Sequence, residues 1–121
     1  MDKPSYTDLK VWQKSMDMVD EIYRVVLKLP EDEKFGLTSQ LRRAAVSVPS
    51  NIAEGYGRIT TKEYVKFLAI ARGSSSEVET QLLICKRLNY LTDTDIETAM
   101  SLICEIGKMI SAMINKLGDK F

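Results

Sequence analysis

A chain of 121 residues, 45% of them apolar, can bury one sizeable core and is too short for two. Its 17 basic and 17 acidic side chains cancel, so overall charge gives no polyanion partner and only local distribution can argue for one. With no histidine, Ser-His and Cys-His nucleophilic catalysis and a Glu-x-x-His di-iron site are excluded, and two separated cysteines cannot close a zinc site.

No charged segment followed by a short apolar run opens the chain, and no apolar run approaches the roughly 20 residues of a membrane span. The expectation is a cytoplasmic protein without membrane contact. Leu9, Trp12, Met16, Val19, Tyr23 and Val26 recur at steps of three and four, which predicts a first helix over 7–29 with this stripe inward. Ser5 or Thr7 can cap it and Pro30 stops it. Val11, Met18, Ile22, Val25 and Leu29 lie off that stripe. They widen the core-facing side or, with Leu102 and Met109, supply a subunit interface.

The acidic "PEDE" reads as a solvated loop. Leu37, Leu41, Ala44, Ala45, Val48, Ile52 and Tyr56 then form the stripe of a second helix over 38–56, with Thr38 as N-cap and Gly55 and Gly57 at its end. Thr60 and Glu63 have capping-box spacing and open a third helix over 61–91. Thr94 and Glu97 repeat the spacing ahead of a fourth over 94–117, stopped by Gly118. Four helices joined by short loops predict an all-α fold, an up-down-up-down antiparallel four-helix bundle spanning 1–121 as one domain. Cys85 and Cys104 fall inside apolar helical patterns and read as buried thiols.

The second helix is spent oddly. "QLRRAAVSVPSNIAEGYGR" carries paired arginines, a proline where an interior backbone donor is needed, and short polar residues around it. Pro49 should bend or divide the helix, and Ser47, Ser50 and Asn51 can bond local backbone groups or a partner. From Gln40 to Arg72 the cations Arg42, Arg43, Arg58, Lys62, Lys66 and Arg72 face only Glu54 and Glu63. A hairpin turning near Arg58 and Ile59 brings Arg72 level with Ala45, close to Arg42 and Arg43.

Two readings follow. Small residues of "ARGSSS" and of the second helix could permit close approach, the arginines pairing Glu54, Glu77 or Glu79. Alternatively the six cations form one phosphate-binding surface for RNA or DNA. Trp12 could stack a base, but its stripe position favours burial. "GYGR" lacks the lysine and the preceding strand of a phosphate loop.

The segments "LKVWQKSMDMVDEIY", "FGLTSQLRRAAVSVPSNIAEGYGR" and "EYVKFLAIARGSSSEVETQL" resemble the four-helix-bundle family named for proteins encoded within 23S ribosomal RNA intervening sequences, over residues 6–117. The resemblance implies a homopentamer with a central channel. It also implies kinship to the accessory protein of diversity-generating retroelements, a basic barrel that binds nucleic acid and a reverse transcriptase. This chain departs from that relative in being neutral overall. The combined expectation is a non-enzymatic oligomeric binding protein without metal or cofactor. Its partner is RNA or DNA held by Arg42, Arg43, Arg58, Lys62, Lys66 and Arg72. The alternative is a protein-interaction scaffold in which those arginines are structural or bridge subunits.

Overall fold

A computed structural model describes residues 3–118 and contains four helices, α1 Lys10–Val25, α2 Leu37–Tyr56, α3 Thr61–Arg87 and α4 Asp93–Gly118. No strand occurs among the described residues. Each helix packs on its neighbour in sequence and α4 returns to α1, the square of an up-down-up-down bundle, with α2–α3 the most extensive seam. In such a square the α1–α2 and α3–α4 faces lie on opposite sides.

The first helix is shorter than its periodic pattern and rotated from the expected orientation. Ser5 and Asp8 form a capping box on a 3-10 turn, Tyr6–Asp8, and α1 then starts after Leu9 without a side-chain cap. A second 3-10 turn, Val26–Lys28, ends it ahead of Pro30. The residues it buries are Val11, Ser15, Met18, Ile22, Val25 and Val26, with Glu21 at the margin. Of the stripe expected to face inward, Met16 and Tyr23 are exposed and Trp12 and Val19 only half-buried. Two three-four series one residue apart differ by a rotation of about 100°, so spacing alone cannot choose between them. Packing chooses: Ser15 is small and spends its hydroxyl on the Val11 carbonyl at 2.6 Å, whereas Trp12 and Tyr23 are too bulky for the centre and lie over the α1–α2 seam.

Pro49 does not divide α2, which runs unbroken through it. The short polar side chains turn onto the helix itself: Ser50 Oγ donates to the Val46 carbonyl at 2.8 Å, and Asn51 Nδ2 to the Ser47 carbonyl at 2.8 Å and to Ser47 Oγ at 2.9 Å. The N-cap position is Gly36, two residues before Thr38, and the Leu37 N–H donates to Glu33 Oε1 at 3.1 Å; Thr38 is buried within the first turn.

Small residues close the α2–α3 seam. A Cβ added to Gly55 would sit 2.8 Å from Phe67 Cβ and 3.0 Å from Tyr64 Cδ1, so only glycine permits that approach. Ser47 Oγ and Ser74 Oγ meet across the same seam at 2.9 Å. These contacts set the register about one helical turn further along α3 than a hairpin centred on Arg58 and Ile59 gives.

Thr60 Oγ1 accepts from the Glu63 N–H at 3.2 Å, as its spacing predicts. The third helix stops at Arg87, short of the expected 91, because Asn89 takes a left-handed φ of 64° while the Tyr90 and Leu91 N–H groups return to the Cys85 carbonyl. The next capping box is Thr92 with Asp95, two residues before the expected Thr94 and Glu97: Thr92 Oγ1 accepts from the Asp95 N–H and Asp95 Oδ2 from the Thr92 N–H. Both cysteines are free thiols; Cys85 is buried as expected, but Cys104 is exposed on α4.

Candidate nucleic-acid interface

The six predicted cations do not converge on one surface. Arg42 and Arg43 stand on the α1–α2 face, where they line a groove of about 600 Å³ together with Tyr23, Lys34, Phe35 and Ser39. Arg58, at the α2–α3 turn, is held by acids: its guanidinium pairs with Glu54 one helical turn back and with Glu63 at 3.8 Å, and lies 4.7 Å over the Phe67 ring. Lys62 and Lys66 are exposed on the first turns of α3, beside Glu63 and Val65. Arg72 faces the opposite way from Arg42, reaching α4, where its Nη1 donates to Ser111 Oγ at 3.4 Å. The physical reason is the register: the one-turn displacement leaves Arg72 level with about Pro49, nearly two turns short of Arg42 and Arg43, and its direction sends the side chain over the α3–α4 seam.

The pairing alternative holds at one position. Arg58 takes Glu54; Glu77 and Glu79 pair with no arginine among the described residues. Gly73 contributes nothing to close approach either, since a Cβ there would meet no heavy atom within 4 Å.

The α1–α2 groove is where cations and aromatics are brought together. The Arg42 guanidinium sits 5.2 Å over the Tyr23 ring, and its Nε is buried without a hydrogen-bond partner. Tyr23 is 43% exposed, Phe35 is 90% exposed, and Lys34 Nζ stands 5.6 Å from the Phe35 ring. No carboxylate lines the groove, and neither Arg42, Arg43 nor Lys34 has an acidic partner within ion-pair distance among the described residues.

Sequence reasoning missed Tyr23, Lys34 and Phe35. Tyr23 belonged to the stripe assigned to the core, and Lys34 and Phe35 to the polar loop between the first two helices. The available signal was Phe35 itself, a large apolar residue beside a lysine in an otherwise polar loop.

That loop is anchored rather than free. Glu33 accepts from the Leu37 N–H through one oxygen and from the Tyr90 hydroxyl through the other at 3.1 Å. The bond to Glu33, then burial, raises the Tyr90 hydroxyl above the ordinary tyrosine range, so it stays a donor. One carboxylate thus starts α2 and ties the loop to the α3–α4 connection, holding Lys34 and Phe35 at the lip of the groove.

Further along the same face, Trp12, Met16, Val19, Val46 and Pro49 line an apolar depression of about 310 Å³. Trp12 packs edge-on against Tyr6, ring centres 5.5 Å apart. The face therefore has a basic, aromatic end and an apolar end. Among the described residues no group of three or more Cys, Asp or Glu could hold a metal ion, and no helix is long and apolar enough to cross a membrane.

A family model described as 23S rRNA-intervening sequence protein matches residues 7–112. The chain is also similar to a crystal structure of a protein of unknown function from the S23 ribosomal protein family of Bacteroides thetaiotaomicron. The two are 25% identical with a TM-score of 0.77, over 86% of this chain and 97% of that one. No curated protein is matched.

Proposed function

Taking as premise that the chain belongs to the 23S rRNA-intervening sequence protein family, we propose that it is a non-enzymatic, self-associating protein that binds single-stranded RNA or DNA at the basic end of its α1–α2 face. The observation that carries this reading is Lys34, Arg42 and Arg43 beside Tyr23 and Phe35 in one groove without a carboxylate. Cations tracking phosphates beside aromatic faces that stack bases is the general solution for single strands. The buried, unpartnered Nε of Arg42 favours an anionic ligand there, because such a donor is costly unless something accepts from it. The interface is thus narrower than the six cations of the sequence: Arg58 is already occupied, and Arg72 lies on the opposite face.

Self-association uses the apolar end. Trp12, Met16 and Val19 would rest on a second copy and leave the basic end open. The homopentamer and the reverse-transcriptase partner implied by the resemblance, and a cytoplasmic setting, are compatible with this arrangement. Light scattering should report an oligomer that Met16→Glu dissociates; a wild-type monomer at micromolar concentration would remove this part of the reading.

The nucleic-acid part is tested by fluorescence anisotropy with a labelled oligouridylate between 50 and 200 mM salt. Three phosphate contacts give a salt slope near −2 and a roughly twentyfold loss of affinity over that range. Arg42→Gln should weaken binding and flatten the slope by about one contact's share, while Arg58→Gln changes neither. Salt-independent binding, or equal losses in the two variants, would contradict the proposal.

A further inference from the structure

We propose that the opposite, α3–α4 face carries a second site, for a small phosphomonoester bearing a hydroxyl or amino group near its phosphate; this does not rest on the nucleic-acid reading. Arg72, Ser75 and Glu79 recur on α3 at three-four spacing, and Lys108, Ser111 and Asn115 do so on α4. Together they line a groove of about 530 Å³, within the size range of small-ligand sites. A Cβ at Gly107, in the same wall, would meet nothing within 4 Å, so the space beside it is open.

Two observations point to a ligand there. Ser75 is 3% exposed, lines the groove, and its hydroxyl has no partner. Its neighbour Ser76 shows the ordinary alternative, donating to the Arg72 carbonyl one turn back at 3.3 Å. A buried hydroxyl left unspent costs free energy unless something completes it. Independently, Arg72 has only the long 3.4 Å bond to Ser111, so most of its five N–H donors are uncommitted. Neither Arg72 nor Lys108 has a carboxylate within ion-pair distance among the described residues.

The donor set selects the ligand. A guanidinium, an ammonium, two hydroxyls and an amide match the acceptor-only oxygens of a phosphate dianion better than a two-oxygen carboxylate. Glu79 argues against a continuous nucleic-acid backbone, whose successive phosphates it would repel. It instead offers an acceptor for a hydroxyl or ammonium group next to a terminal phosphate.

The test is an amide chemical-shift titration of the full chain with phosphoethanolamine and with inorganic phosphate, ionic strength held constant with sodium chloride. Saturable shifts confined to the turns around Ser75 and Ser111 are expected, with phosphoethanolamine the tighter probe. Arg72→Gln should weaken both probes roughly tenfold and Ser75→Ala by a few-fold. Glu79→Gln should abolish only the preference for phosphoethanolamine, and Arg42→Gln should change nothing. Shifts that never saturate, that persist unaltered in Arg72→Gln, or that show no preference between the probes would overturn the proposal.

Discussion

Helix α2 builds two seams from two of its sides, and they have opposite character. Toward α3 it presents Gly55 and Ser47, and the helices close until a methyl group no longer fits and hydroxyls touch. Toward α1 it presents Arg42, Arg43 and Val46 against Met16 and Tyr23, and grooves remain open along the seam. Small residues give up side-chain contact and gain backbone proximity; long and aromatic ones hold the helices apart and leave walls for a ligand. The face proposed for binding is therefore the loosely closed seam, and the glycine-bearing seam is the frame that supports it.

The tight seam is most easily disrupted at Gly55. Gly55→Ala places a carbon against Phe67 Cβ, an atom no rotamer change can move away, and should cost about 1–3 kcal/mol as overpacking. Thermal unfolding should report it as a fall of about 4 °C per kcal/mol. The next effect is at the serine pair. Ser47→Ala strands the Ser74 hydroxyl, itself buried, and should cost about 1–2 kcal/mol, whereas adding Ser74→Ala recovers part of the loss because both unmade partners are gone. A double variant as unstable as the sum of the singles would show that the hydroxyl contact is not what holds the seam there.

Smaller, and opposite in sign, is Gly73→Ala. Gly73 lies mid-helix with open space where a Cβ would go, so alanine should add roughly 0.5–1 kcal/mol from helix propensity alone. The same substitution thus destabilises at one glycine and stabilises at the other. Equal signs in two thermal melts would erase the distinction between a packed glycine and an idle one.

The four helices were legible because each carries an apolar three-four series and no strand-like alternation competes with it. Which series faced inward on α1 was not, because two series one residue apart obey the same spacing and only the size of Trp12 and Tyr23 decides between them. The site was legible in part. Arg42 and Arg43 stood out as paired cations, but joining them to Arg72 required the hairpin register, and that depends on how closely Gly55 lets Tyr64 and Phe67 approach. The caps show the same limit: Thr60 was readable from its spacing with Glu63, while Thr92 lost to Thr94 because two threonines with acidic residues three positions on compete within four residues. Nothing local marked Glu33 as the tie between a loop and Tyr90, since that contact joins residues far apart in the chain.

The smallest effect concerns a third kind of seam. Between α1 and α4, charges at the surface bridge the helices and their ends: Lys14 pairs with Glu105 at 2.7 Å, and Lys28, in the turn after α1, meets Asp95 at the start of α4. The hydrogen bond from Lys28, then the Thr92 backbone N–H, lowers the Asp95 carboxyl from 3.8 to about 2. A carboxyl depressed in the folded state stabilises above its unfolded value and loses that contribution as pH falls toward the folded one, so the loss belongs between about pH 4 and pH 2. Lys28→Met removes the larger cause and leaves the Thr92 cap, so wild type and variant should differ in melting temperature at pH 5 and converge by pH 2. Because the pair is solvent-exposed, the difference should be slight and should shrink further in high salt. A gap that stayed constant from pH 5 to pH 2 would mean that Lys28 steadies the α1–α4 seam through its alkyl stem rather than its charge.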